Sequence, residues 1–194
     1  MAFSRRLVAV LVGCALAFAA AQGSYSGTRS SLDLMDVDFM FVGAHPDDDG
    51  SIMTTFARYI LDEGYQGTVV TLTGGEGGSN ATGPELGRSL GLIRQEEERI
   101  ALGLIGVDSP HWLGLQDFYF TLSAEETLAK WGGDEFICDV VRLVRLRRPE
   151  VIVTMWPGPG THGNHQEAGR AAAIARDRAV EPGVCPALVG DVDL

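Results

Sequence analysis

The sequence predicts an α/β fold, Rossmann-like, with a doubly wound and mostly parallel sheet and helices on both faces. Three observations carry that prediction. Short apolar runs alternate with helix-period segments from residue 37 to residue 179. The connections between them are short, as right-handed strand–helix–strand crossovers require. Two polar knots stand at the ends of apolar runs: His45-Pro46-Asp47-Asp48 follows one directly, and His162-Gly163-Asn164-His165 comes after another, the position where open α/β sheets bind their ligands.

The first run, Val37 to Ala44, reads as a buried strand. Past Asp49-Gly50, residues Met53, Phe56, Ala57 and Ile60 recur at i, i+3, i+4, i+7, the stripe of an amphipathic helix, and Gly64 stands where a helix-terminating glycine belongs. Gly67 to Thr73 is a second strand, and Gly74-Gly75-Glu76-Gly77-Gly78-Ser79-Asn80 is a flexible loop at its carboxyl end. A long helix is expected over roughly 86–104, with Leu90, Ile93, Glu97, Ile100 and Leu104 nearly on one face. His111-Trp112-Leu113 is a short third strand, and the loop after it carries Asp117, Phe118, Tyr119 and Phe120. Phe136, Ile137, Val140, Val141 and Val144 mark a further helix that Pro149 stops. Glu150 to Met155 is the fourth strand, Gln166 to Ala179 an alanine-rich helix, and Pro186 to Val189 the start of a possible fifth strand.

Most of the 194 residues form one domain, 37–194, with 45% apolar residues for its core. Residues 1–21 read as a secretory signal peptide: Arg5 and Arg6 precede the apolar run Leu7 to Ala20, and Ala19-Ala20-Ala21 is a small-residue cleavage site. The run is short for a membrane span. Leu11-Val12-Gly13-Cys14 resembles a lipobox that would leave a lipid on Cys14, but seven apolar residues continue past it, and cleavage after Ala21 is preferred. Residues 22–36 are a polar leader. Loss of Arg5 and Arg6 takes the net charge from −11 to −13, which disfavours nucleic acid and anionic membranes as partners. Cys138 and Cys185 are too few and too distant in sequence for a metal knuckle; in an oxidising compartment they pair, otherwise they are unrelated buried thiols.

If the first and fourth strands are neighbours across the switch point, His45, Asp47 and Asp48 meet His162 and His165. A His/His/carboxylate set with open positions suits a catalytic Zn²⁺, or Fe²⁺ by similar geometry. His45 and Asp48, three apart at a helix start, face one point, and a distant histidine closes the site. A carboxylate left over suits the general base toward water whose pKa such a metal lowers to ~7; a histidine left over suits an oxyanion or a leaving group. Taken alone, the Asp47-Asp48-Asp49 triplet reads as a helix cap, and only its conjunction with the second knot favours the metal. No EF-hand, dinucleotide fingerprint, lysine-bearing phosphate loop or nucleophile elbow is present. His111 reads as a core or rim histidine.

On these residues the chain resembles the LmbE-like/PIG-L metal-dependent de-N-acetylases. Ala44-His45-Pro46-Asp47-Asp48 is similar to their first motif and His162-Gly163-Asn164-His165 to their second, usually His-Pro-Asp-His. Thr73 to Ser79 looks like their glycine loop, Arg94-Gln95-Glu96-Glu97 like their Arg-x-x-Glu segment, and Leu113 to Asp117 like the following Leu-x-x-x-Asp. The resemblance implies a zinc-dependent amide hydrolase that removes acetyl from an N-acetylglucosamine-type sugar, and the signal peptide adds that it is exported. His45, Asp48 and His165 would hold the metal, Asp47 would be the general base and His162 the oxyanion-side acid. Arg94 and Asp117 would contact the sugar, although Arg94 reads equally as an ion-pair partner on a helix surface. Asp49 stands for the family's usual glutamate, and Gly163 and Asn164 for Pro and Asp. If residue 164 faces His162, its neutral amide gives the imidazolium less support than an aspartate would. The chain also lacks the family's usual C-terminal strands. Asn164 and that short C-terminus leave two alternatives: a metal-retaining but inactive carbohydrate-binding protein, or a truncated fragment.

Overall fold

The structure is a computed structural model that describes residues 35–107 and 109–186. The expected signal peptide, Cys14, most of the leader and all but the first residue of the possible fifth strand lie outside the described residues. Four strands form one parallel sheet: β1 (Phe39–Gly43), β2 (Gly67–Thr73), β3 (His111–Leu115) and β4 (Val151–Thr154). Their order is β3-β2-β1-β4. β1 pairs with β2 from Phe39↔Gly67 to Gly43↔Thr71, and with β4 from Phe39↔Val151 to Val42↔Thr154. The chain therefore walks outward through β2 and β3, then crosses back to lay β4 on the other side of β1. That reversal is the topological switch point of a doubly wound sheet, and it makes β1 and β4 neighbours, the condition on which the sequence reading of the site depends.

Every residue of β1 is buried, as expected of a central strand covered on both faces. Its side chains alternate between two cores. Met40 and Val42 join Val70 and Leu72 on one face, beneath α4 (Glu135–Arg147) and α5 (Gly163–Arg178). Ile137, Val140, Val141 and Val144 supply the α4 contact; Ala168, Ala171, Ala172 and Ala175 let α5 lie close to the sheet. Phe39, Phe41 and Val69 face the other way, against Phe56, Leu102 and Val107. Phe56 comes from α1 (Met53–Ala57), which follows a short 3₁₀ turn at Asp48–Ser51 and continues as a π turn to Asp62. Gly64, at φ +78°, ends it.

Two expectations change. The long helix, α2 (Arg88–Leu104), is present, but its buried face is Leu90, Gly91, Glu98 and Leu102. Ile93, Ile100 and Leu104 of the expected face are exposed, at 38%, 51% and 77%. The sheet selects a face carrying a buried carboxylate because β2 and β3 supply partners for it: Thr71 Oγ1 donates to Glu98 Oε1 at 2.6 Å, and Trp112 Nε1 donates to Oε2. The segment after β3 also contains a helix the periodicity did not disclose, α3 (Ala124–Lys130). Ser123 caps it by accepting from the Glu126 amide at 3.0 Å, the pattern that Ser123-Ala124-Glu125-Glu126 spells in the sequence.

Cys138 on α4 and Cys185, beyond α5, form a disulfide, which decides between the two readings of these cysteines. Arg145 ties down the same segment, donating to the carbonyls of Arg178, Ala179, Glu181, Val184 and Cys185 at 2.7–3.1 Å.

Candidate metal centre

His45, Asp47 and Asp48 lie just past the carboxyl end of β1, and His162 and His165 begin α5, after the loop 155–161 that follows β4. The adjacency of the two strands brings the knots together. His45 Nδ1 lies 3.1 Å from His165 Nε2 and 3.7 Å from Asp48 Oδ2, and His165 Nε2 lies 3.3 Å from Asp48 Oδ1. Two nitrogens and a carboxylate bound tetrahedrally at 2.0–2.1 Å from one Zn²⁺ would stand about 3.3 Å apart, so this donor set fits a divalent cation. The ligand-capable atoms of His45, His162 and His165 also lie within 4.8 Å of one another, as do those of His45, Asp47 and Asp48. His45 is common to both groups.

The aspartate triplet does not cap the helix that follows; the 3₁₀ turn has no side-chain cap. Instead Asp48 reaches back to the strand end, where its Oδ2 accepts from the amides of Ala44 (2.7 Å) and His45 (2.9 Å). That fixes the carboxylate and leaves Oδ1 toward His165. Burial pushes the Asp48 carboxyl up, but hydrogen bonds from His165 and His45 outweigh it and hold the group well below the usual carboxylate range. Burial likewise disfavours charge on His45, yet hydrogen bonds to Asp117 and Asp48 push its pKa up to about 9. A cation held by these residues would have to displace that proton.

The far side of His45 is equally defined. Its Nε2 lies 3.3 Å from Asp117 Oδ1, the carboxylate partner that metal-binding histidines commonly have on their second nitrogen. The other oxygen of Asp117 accepts from the Gly77 amide at 3.0 Å. Asn164, fully buried, donates to Asp117 Oδ1 at 3.0 Å, lies 3.2 Å from His45 Nε2, and accepts from Thr127 Oγ1 at 3.1 Å. Asn164 therefore faces His45 rather than His162, and the coupling to His162 expected from the sequence is replaced by one to the metal-side histidine.

Arg94, on α2, donates to Gly75 O at 2.9 Å and pairs with Asp47 Oδ1 at 3.0 Å. The glycine loop is what lets these supports reach the site. A Cβ on Gly75, which sits at φ +71°, would stand 2.2 Å from the Arg94 guanidinium; one on Gly77 would stand 2.6 Å from Phe118 O. One loop thus holds Asp117 behind His45, through the Gly77 amide, and Arg94 behind Asp47, through the Gly75 carbonyl. Both side chains expected to contact sugar are engaged in positioning other site residues.

All the expected site residues, His45, Asp47, Asp48, Arg94, Asp117, His162 and His165, line one cavity of ≈ 300 Å³. Phe118 and Phe120 form its apolar wall. The Asp47 side chain is 71% exposed, open to a bound molecule. His162 is buried, its Nε2 has no hydrogen-bond partner, and burial together with the neighbouring His45 and His165 pushes its pKa down. His111 is on β3, outside this cavity. The sequence analysis names Asn164 with a different partner and misses Thr127 and Glu76, the last bridging the Asp117 and Gly74 amides at 3.0 and 3.1 Å.

The profile of the PIG-L family, GlcNAc-PI de-N-acetylase, matches residues 40–175. The chain is 36% identical over 168 residues to the 1D-myo-inositol 2-acetamido-2-deoxy-alpha-D-glucopyranoside deacetylase of Geodermatophilus obscurus, an alignment covering 78% of this chain and 56% of that one. It spans about half the length of the curated relatives it matches. Among solved structures it is similar to a conserved protein of Thermus thermophilus (27% identity, TM-score 0.55, covering 72% of this chain and 55% of that one). It shares its fold with the N,N'-diacetylchitobiose deacetylase of Pyrococcus horikoshii (21% identity, TM-score 0.61, covering 87% and 60%). With both family motifs at one switch point, the chain belongs to the PIG-L (LmbE-like) family.

Proposed function

We propose that the protein is a metal-dependent hydrolase that removes acetyl from the nitrogen of an N-acetylglucosamine-type glycoside, with Zn²⁺ as its metal. The observation that carries the reading is the meeting of His45, Asp48 and His165 within 3.1–3.7 Å, at the base of a cavity that also presents Asp47 and His162. The substrate class comes from the relatives' names, and the acidic, open cavity is compatible with it.

His45, Asp48 and His165 would hold the cation. When bound, it supplies Lewis acidity toward an acetamide carbonyl and a lowered pKa for water. Asp47 takes the proton from the attacking water and passes it to the departing amine; Arg94 keeps its carboxylate aimed into the cavity. His162 would donate a ring N–H to the acetyl oxygen, where charge develops as the carbonyl becomes tetrahedral. Collapse breaks the C–N bond and yields acetate and the free amino sugar. The phenylalanine wall excludes water from one side.

Export belongs to the same reading. The Cys138–Cys185 disulfide supports an oxidising compartment, in keeping with the expected signal peptide; among the described residues no helix is long and apolar enough to cross a membrane. The test is acetate release from N-acetylglucosamine glycosides by zinc-loaded protein, against the chelated form. Asp47→Asn should keep the metal and lose on the order of 10²-fold in rate. An Asp47→Asn protein with full activity, or one that has shed its metal, would contradict the assigned role.

A further inference from the structure

The His162 ring is held by a segment that the family motifs do not include. After β3 the chain runs through Phe118, Tyr119, Phe120, Thr121 and Leu122 and then enters α3. Phe120 lies flat on His162, with ring centroids 4.8 Å apart and planes 20° from parallel. The stack fixes the plane of the imidazole, which lines the cavity.

The backbone is stitched to match. Gly163 N–H donates to Thr121 O at 2.7 Å, and Gln166 Nε2 donates to Leu122 O at 2.9 Å. Residue 163 has to be glycine for this contact, because a Cβ there would stand 2.5 Å from Ser123 O and 2.6 Å from Thr127 Oγ1. The replacement of the usual proline by Gly163 thus belongs to the contact between this segment and the second histidine knot. In this chain the carboxylate that would adjoin His162 is absent, Asn164 is committed to His45, and the 119–122 segment is what touches the ring.

We propose that Phe120 is a positioning residue for His162, its stacked ring holding the imidazole in one orientation at the wall of the cavity. The proposal rests on the deacetylase reading for its catalytic consequence but not for its structural content, and two measurements keep these apart. Phe120 is 70% exposed, so its replacement leaves the core intact. Phe120→Ala should lower kcat on the order of 10-fold while KM moves by less than about 3-fold, the pattern of a misplaced catalytic group. Phe120→Leu, apolar but without a ring, should resemble Phe120→Ala, and Phe120→Tyr should restore the rate to within about 2-fold. An unchanged kcat, a loss confined to KM, or full activity in Phe120→Leu overturns the proposal.

The second measurement is independent of turnover. With only four histidines in the sequence, the imidazole ¹⁵N spectrum of zinc-loaded protein at alkaline pH is assignable, using His162→Gln to identify one ring. His162 should give one sharp set of ring signals in the wild type, the mark of a single ring orientation, and Phe120→Ala should broaden or double that set. Several His162 ring orientations in the wild type, or one sharp set in Phe120→Ala, overturns the proposal. If the wild type releases no acetate, the deacetylase reading fails and this spectrum still decides the positioning role.

Discussion

Glu98 offers a sharp stability test, because its carboxyl is 3% exposed and bears no ion pair among the described residues. Burial, with the charges of Asp49 and Asp48 adding to it, raises its pKa from 4.5 to about 7, although hydrogen bonds from Thr71 and Trp112 pull the other way. The folded protein therefore keeps a proton that the unfolded chain gives up near pH 4.5. Between those values the unfolded state binds fewer protons, so stability falls as pH rises, by about 1.4 kcal/mol per unit. Across the interval the loss comes to about 3 kcal/mol, complete above pH 7. Glu98→Gln keeps the shape and has no charge to bury, and its amide and the Thr71 hydroxyl can exchange donor and acceptor roles. The variant should match the wild type near pH 4.5 and exceed it by up to about 3 kcal/mol at pH 8, or roughly 6–12 °C in Tm. Urea unfolding of both metal-free proteins from pH 4.5 to 8.5 measures this, and terms common to the two cancel. A stability difference that does not vary with pH, or a variant less stable than the wild type at pH 8, would refute the reasoning.

Two further outcomes follow from the packing. Gly163→Pro, which restores the family's usual residue, should destabilise by about 3 kcal/mol in thermal or urea unfolding, because it removes the amide that bonds Thr121 O and drives a ring into Ser123 and Thr127; a neutral or stabilising result would show that the contact to Thr121 is unimportant. Cys138→Ser with Cys185→Ser opens a disulfide of sequence separation 47 and should cost about 2–4 kcal/mol, with the same loss on reducing the wild type. No response to reductant would mean that the disulfide adds nothing to stability.

The alternation of apolar runs and helices was legible in the sequence, because it depends on periodicity, a local property. The convergence of both histidine knots was legible on one condition, that the first and fourth strands are neighbours, which the sheet order meets. What stayed hidden depends on partners brought from a distance. The face of α2 could not be read because Glu98 is buried only by virtue of Thr71 and Trp112, and a buried polar residue breaks the apolar stripe that marks a core face. Asn164 could not be oriented because its partners, His45, Asp117 and Thr127, come from three other segments. Arg94 and Asp117 were legible as site residues, whereas the contacts they make were not: each reaches another site residue through the glycine loop. The α3 helix was legible after all, in the Ser123-x-x-Glu126 cap, but not by the apolar spacing used to find the others.

The central claim is that His45, Asp48 and His165 form one cation site, and elemental analysis tests it most directly. Protein stripped with a chelator, reloaded with a mixture of zinc and iron salts and freed of excess should carry about one divalent metal per chain. His45→Ala and His165→Ala should each lose most of that metal, while Asp47→Asn keeps it. Undiminished metal in the two histidine variants would contradict the account.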